Sequence, residues 1–320
     1  MCFRVSRLIF RATTSLLKGR CCTRMKNRTA LLSGLSLFVC FCLLTGLSRL
    51  IIRYVGISPP LLLLAEVLSF ALPALLAYYA AEDRTAIRHR LGWRMPPKGG
   101  LLFAILLGIT TAMFALSTNI ALGSLVGQAN GDFFAAALPL TQSRFGAHGV
   151  YFVFAAAAAL VEELFLRGVL MPIHEKGVGT SACLLFAGLT FALLQGDPLR
   201  AIGAFAAGCA FAYIAYIFDS VWPAVIAHLA GGLYLSVTMW MTDVYAPFGI
   251  GNYFFACNLL GLLLFLYLTV RTAQGMLVRD SVPHFAKSAG LYDLWLLMRN
   301  PGVLVFAVAF AAKIVLDMIG

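Results

Sequence analysis

Apolar blocks about as long as a bilayer is thick recur along this chain, and no other feature restricts its fold as strongly. Read between charged punctuation, they cover roughly 30–51, 60–81, 100–124, 148–172, 181–196, 200–218, 222–242, 251–271 and 302–319. A membrane-crossing helix needs about 20 consecutive apolar residues. Inside lipid each backbone group must be satisfied within its own segment, so such blocks are helices rather than strands. Composition agrees: 61% of the residues are hydrophobic and 12% charged, where a soluble domain carries about a quarter charged. The expected fold class is all-α, a polytopic integral membrane protein of about eight to nine transmembrane helices. Whether 302–319 spans is left open; it carries Lys313 and Asp317, four apart and able to pair on one helix face.

The distribution of charge sets the expected orientation. The net charge is +11, and eight of the 24 Lys and Arg lie between Arg4 and Arg28. A long apolar segment follows at once, so this stretch reads as a cytoplasmic head that meets anionic lipid rather than as a nucleic-acid arm. Residues 3–18 alternate apolar and basic, as an interfacial helix does. No convincing small-residue cleavage site follows the apolar block, which argues against a signal peptide. With the N-terminus inside, 19 basic residues fall on the cytoplasmic side. Arg49, Arg53, Arg144 and Arg200 fall outside or at the outer edge, and Lys313 lies within the last block. The positive-inside bias selects this orientation, in the plasma membrane if the source is bacterial.

Three regions follow: a basic cytoplasmic or interfacial segment at 1–28, a transmembrane domain at 29–272, and a cytoplasmic loop with a possible final span at 273–320. A short amphipathic segment is expected near Leu291–Met298. None of the eight cysteines forms a CxxC pair, so a zinc or disulfide framework is unsupported. Buried small apolar side chains account for most of them; Cys21 and Cys22, beside the first span, are acylation candidates.

Ionisable groups inside a membrane cost at least about 2.5–3.5 kcal/mol each and are functional candidates by default. The fourth block contains Val161-Glu162-Glu163-Leu164-Phe165-Leu166-Arg167-Gly168. Glu163 and Arg167 are four apart, share a face and can pair. Glu162 points about 100° away from Glu163 and has no such partner, which suits a general base. The bland alternative is that both acids glue helices together or line a polar cavity. The helix is expected to end near 177–179, with Thr180 or Ser181 capping the next. Counted outward from the turn at Val178, Glu162 and Gln195 reach similar depth at ~1.5 Å per residue. The seventh block opens with Asp219-Ser220-Val221-Trp222-Pro223, a capped start with proline in the first turn. It then reaches His228, which by simple counting sits nearer the cytoplasmic face than Glu162. A lone intramembrane histidine is more often a helix–helix hydrogen-bonding residue than a catalyst.

Taken in order, Glu162-Glu163-x-x-x-Arg167, Phe191-x-x-x-Gln195 and Ser220-Val221-Trp222-Pro223-Ala224-Val225-Ile226-Ala227-His228 resemble the CPBP family. This family contains the CAAX proteases and bacteriocin-processing enzymes, also called Abi. The resemblance covers roughly 148–240. It implies a fold of about eight helices, a cavity open to the cytoplasmic side, and proteolysis near the membrane surface. By carry-over, Glu162 activates the attacking water, Glu163 with Arg167 holds that helix in place, and His228 helps stabilise the oxyanion. No cofactor is implied, and a single histidine among the motif positions argues against a metal site. The implied partners are membrane lipid and a peptide or lipid-modified protein substrate.

Two positions depart from the family pattern. Gln195 stands where the second motif has histidine, and Gly232 stands where the third has asparagine. Gln195 can orient a water but cannot take its proton, and Gly232 offers no oxyanion donor; one such loss costs ~2.7–4 kcal/mol. The sequence therefore supports an intramembrane endopeptidase first. The alternative is a catalytically impaired relative that binds membrane peptides as an immunity, scaffold or maturation partner. No inverted repeat or broken-helix pair favours a transporter. His174 is a weaker substitute for the missing histidine, about three turns from Glu162.

Overall fold

Successive apolar blocks joined by short polar turns fold into antiparallel neighbours, and the computed structural model is helical throughout what it describes. Those residues are 28, 30–125, 144–175, 178–245, 251–278 and 291–319. The helices are α1 (Ala30–Tyr54), α2 (Pro59–Ala80), α3 (Arg84–Leu91), α4 (Lys98–Leu125) and α5 (Arg144–Glu163). A π-helical turn (Leu164–Leu170) joins α5 to α6 (Met171–Glu175). Next come α7 (Thr180–Leu194), α8 (Ala201–Ile217), α9 (Trp222–Tyr245), α10 (Gly251–Val278), α11 (Leu291–Met298) and α12 (Pro301–Ile319).

Among the described residues six helices are long and apolar enough to cross a membrane, and α11 with α12, bent by 68°, make a seventh if taken as one span. The apolar helices α7 and α8 have only 15 and 17 residues. The basic segment 1–28, apart from Arg28, lies outside the described residues, as does the side chain of Asp317, so its pairing with Lys313 is not described. Lys313 Nζ also donates to the Gly196 carbonyl at 2.8 Å.

Small residues bring the helices together, because in lipid close van der Waals packing replaces the hydrophobic drive. A Cβ on Gly108 of α4 would stand 1.8 Å from the Ala227 carbonyl oxygen of α9. Helices α7 and α8 cross where Gly208 sits against Gly188, whose Cα would lie 2.8 Å from an added Cβ. Polar side chains then tie the helices laterally. Thr110 bonds Thr269 at 2.9 Å, and Asn258 Nδ2 donates to Ser117 Oγ at 2.7 Å. Tyr234 donates to the Asn258 side-chain oxygen, which joins α9 to α10.

One end of the bundle is closed by α3. Asp83 caps it, accepting from the Thr85 and Ala86 amides at 3.0 and 3.4 Å. Its Arg90 is buried and pairs with Glu175, with Asp219 at 3.3 Å, and with the Ala215 carbonyl. The strand of chain after α3 receives the α8–α9 turn: Ser220 Oγ donates to Arg94 O at 2.9 Å and Trp222 Nε1 to Gly92 O at 3.2 Å. Ser220 Oγ also accepts from the Trp222 amide at 3.4 Å, and Pro223 follows in the first turn of α9. At the start of α7 the expectation is corrected. Gly179 occupies the N-cap with no side-chain bond and Thr180 is already helical, because the Gly179 amide is bonded by Asp293 Oδ2 of α11 at 3.3 Å.

Candidate active site

The acidic pair sits where α5 gives way to the π-helical turn, a distortion common at functional sites. The Met171 amide bonds back to the Leu166 carbonyl, and the wider turn contains Arg167 and Gly168. A Cβ on Gly168 would lie 2.4 Å from Leu91 Cδ2, so the glycine admits α3 against this turn. Arg167 and Glu163 still meet across four residues, NH1 to Oε1 at 2.9 Å, and both side chains are 0% exposed.

Around that pair the structure builds a closed cluster. Arg167 NH2 donates to the Gly208 carbonyl of α8 at 2.8 Å. Its guanidinium lies over the rings of Phe191 and Phe211, 4.9 and 5.8 Å from their centroids, a favourable placement for a desolvated cation. His228 stacks on Phe211 at 5.1 Å and meets Phe191 edge-on at 5.7 Å. Its Nδ1 is 3.0 Å from Glu163 Oε1. Glu163 thus serves two partners, Arg167 and His228, where helical spacing alone predicts one. A carboxylate on Nδ1 fixes the tautomer and orientation of the ring. This bond also corrects the depth expected for His228. The α8–α9 turn is bonded to α3 and the chain after it, and His228 stands level with Glu163.

Glu162 turns the other way, into a cavity of about 330 Å³. Gln195, His228 and Gly232 line the same cavity, so residues from three successive motifs converge on it, while Glu163 and Arg167 form its buried flank. Gly232 packs on α5, where an added Cβ would lie 3.0 Å from Ala155 Cβ. His174 does not join them. It is buried against Phe186 at 5.0 Å, and neither ring nitrogen has a hydrogen-bond partner among the described residues.

Sequence reading missed five polar lining residues: Glu66 of α2, Thr111 and Asn119 of α4, Tyr151 of α5 and Arg200 before α8. A signal existed for Glu66, an ionisable residue inside an apolar span, by the same rule that singled out Glu162. Arg200, placed by sequence at the outer edge, has a side chain 43% exposed and sits 3.2 Å from Asp197. With exposed Gln195 it marks the α7–α8 connection, the end of the bundle away from α3. Among the described residues no three His, Cys, Asp or Glu cluster so as to hold a metal.

Bundle and site together define a multi-pass helical membrane protein with a polar, partly charged cavity lined from α2, α4, α5, α7, α8 and α9. Residues 145–234 match the family model of Rce1-like type II CAAX prenyl endopeptidases, and the chain carries a domain of that family over this segment. Searches of curated proteins and of solved structures returned no match.

Proposed function

We propose that the chain is an intramembrane endopeptidase that cleaves a membrane-associated or lipid-modified peptide with a water activated by Glu162. The observation that carries this reading is the cavity shared by Glu162, Gln195 and His228, backed by the buried Glu163–Arg167–His228 cluster. Glu162 takes a proton from water held by Gln195, whose amide both donates and accepts. His228, held by Glu163 on one nitrogen, uses the other to stabilise the oxyanion when its ring is charged. Arg167 and the two phenylalanines fix the ring of His228 and the rotamer of Glu163. Helix α7 ends at Gln195 and α8 lines the cavity with Gly203, Ala204, Ala207 and Phe211, and in this reading both cross the membrane with the longer spans. The N-terminus lies in the cytoplasm, and the basic segment before α1 rests on anionic lipid.

The test is cleavage by purified protein in detergent, using a panel of prenylated and unmodified peptides. Wild-type turnover that disappears in Glu162→Gln is expected; turnover equal in the two proteins overturns the role of Glu162. A second reading, a catalytically impaired peptide-binding relative, is favoured by Gln195 and Gly232. Under that reading wild type binds panel peptides without cleaving them, and Gln195→His restores turnover.

A further inference from the structure

The cavity holds a second carboxyl group that belongs to none of the motifs. Glu66 stands eight residues into α2, outside the segment that matches the family, yet its side chain lines the same cavity as Glu162. Helix α2 packs directly on α5 and on the π-helical turn, which brings the two acids to one space. Among the described residues no cation pairs with Glu66. The other titratable or charged groups lining the cavity are Tyr151 of α5, His228 of α9 and Arg200 at the start of α8. His228 is bonded to Glu163, and Arg200 sits beside Asp197.

Hydrolysis of a peptide bond needs a proton removed from water and a proton given to the departing nitrogen. Gln195 can do neither, and Glu163 is already bonded to Arg167 and His228. Two carboxylates confined in one cavity repel one another, and such a pair is held at least cost with a single proton between them.

We propose that Glu66 is the second catalytic carboxyl of this site, protonating the amine as it leaves; the inference rests on Glu162 activating the water. In the first step the water oxygen bonds to the scissile carbonyl carbon and its proton passes to the Glu162 carboxylate. In the second the carbon–nitrogen bond breaks while the Glu66 carboxyl gives its proton to the nitrogen. The products are an acid and an amine. Glu162 is then protonated and Glu66 ionised, and one proton crossing the cavity through water resets the pair.

The experiment compares wild type, Glu66→Gln and Glu162→Gln on a farnesylated peptide and on a nitrophenyl ester of the same acyl sequence. The nitrophenolate leaves without needing a proton. Glu66→Gln is expected to lower kcat on the amide by roughly 10²-fold or more, with KM little changed and ester hydrolysis nearly intact; the retained ester activity shows that the fold survives. Equal loss on both substrates, or no loss on either, overturns the role of Glu66. If wild type cleaves neither substrate, the endopeptidase reading itself has failed. Difference infrared spectroscopy in lipid nanodiscs then tests the pair without turnover. A protonated-carboxyl band altered by both single replacements supports a shared proton, and a band that neither replacement alters overturns it.

Discussion

Glu163 carries more of the site than any other side chain, because one of its oxygens serves both Arg167 and His228 while the whole group is sealed from solvent. Removing one partner of a buried pair leaves the other charge uncompensated, which costs about 3–5 kcal/mol. Glu163→Ala is therefore expected to lower the thermal midpoint in detergent sharply, whereas Glu162→Gln, in the open cavity, leaves it nearly unchanged. An unaltered midpoint in Glu163→Ala would show that the cluster is not holding these helices. Gly232 illustrates a different constraint. Asparagine there brings its Cβ to 3.0 Å from Ala155 Cβ, closer than side chains ordinarily pack, so α5 must yield for the motif to be restored. Gly232→Asn is expected to destabilise by about 1–3 kcal/mol, and Ala155→Gly in the same protein is expected to recover most of the loss. The two thermal midpoints check this directly.

Among the elements, the crossing of α4 and α9 controls where His228 stands. An added Cβ at Gly108 would lie 1.8 Å from the Ala227 carbonyl oxygen, one residue before His228. Backbone cannot move aside as a flexible side chain can. Gly108→Ala is expected to abolish peptide turnover and reduce the yield of monodisperse protein. Gly275→Ala in α10, with nothing within 4 Å of its added Cβ, is the matched control and should stabilise by about 0.5–1 kcal/mol. Size-exclusion profiles of the two variants distinguish the cases, and a well-behaved, active Gly108→Ala protein would show that the crossing can open. The π-helical turn after Glu163 belongs to the same scale. The residues 164–170 read as ordinary helix, since no proline or glycine pair announces the change. The wider turn is stabilised by its surroundings: Leu91 packs on Gly168, and Arg167 binds the Gly208 carbonyl of a neighbouring helix.

At the scale of the whole molecule, two expectations drawn from the sequence meet and conflict. The charge rule predicts a cytoplasmic N-terminus, and with it a cytoplasmic α3. The family resemblance implies a cavity open to that side, but the lining residues Gln195 and Arg200 lie at the end of the bundle opposite α3. With the charge rule deciding, the prediction is a cavity reached from the non-cytoplasmic face. Asp197→Cys in an otherwise cysteine-free protein should then react with a membrane-impermeant maleimide added to intact cells. Reaction only after permeabilisation would reverse the orientation and return the cavity to the cytoplasm.

Apolar block length by itself determined the helical class and the positions of the helices, because lipid leaves the backbone no other way to satisfy its hydrogen bonds. Thus 222–242 and 251–271 were legible as blocks, and Thr180–Leu194 nearly so, although 15 residues fall short of a full span. Helical spacing likewise determined that Glu163 faces Arg167, a contact within one turn. Everything that depends on two segments distant in sequence was decided by the tertiary structure alone. Glu66 shares a cavity with Glu162 from a helix nearly a hundred residues earlier. His228 bonds Glu163 of another helix, and Gly232 is confined by Ala155 of that same helix. Periodicity reports which face of a helix is apolar; which partner that face meets, and at what depth, follows only from how the helices pack.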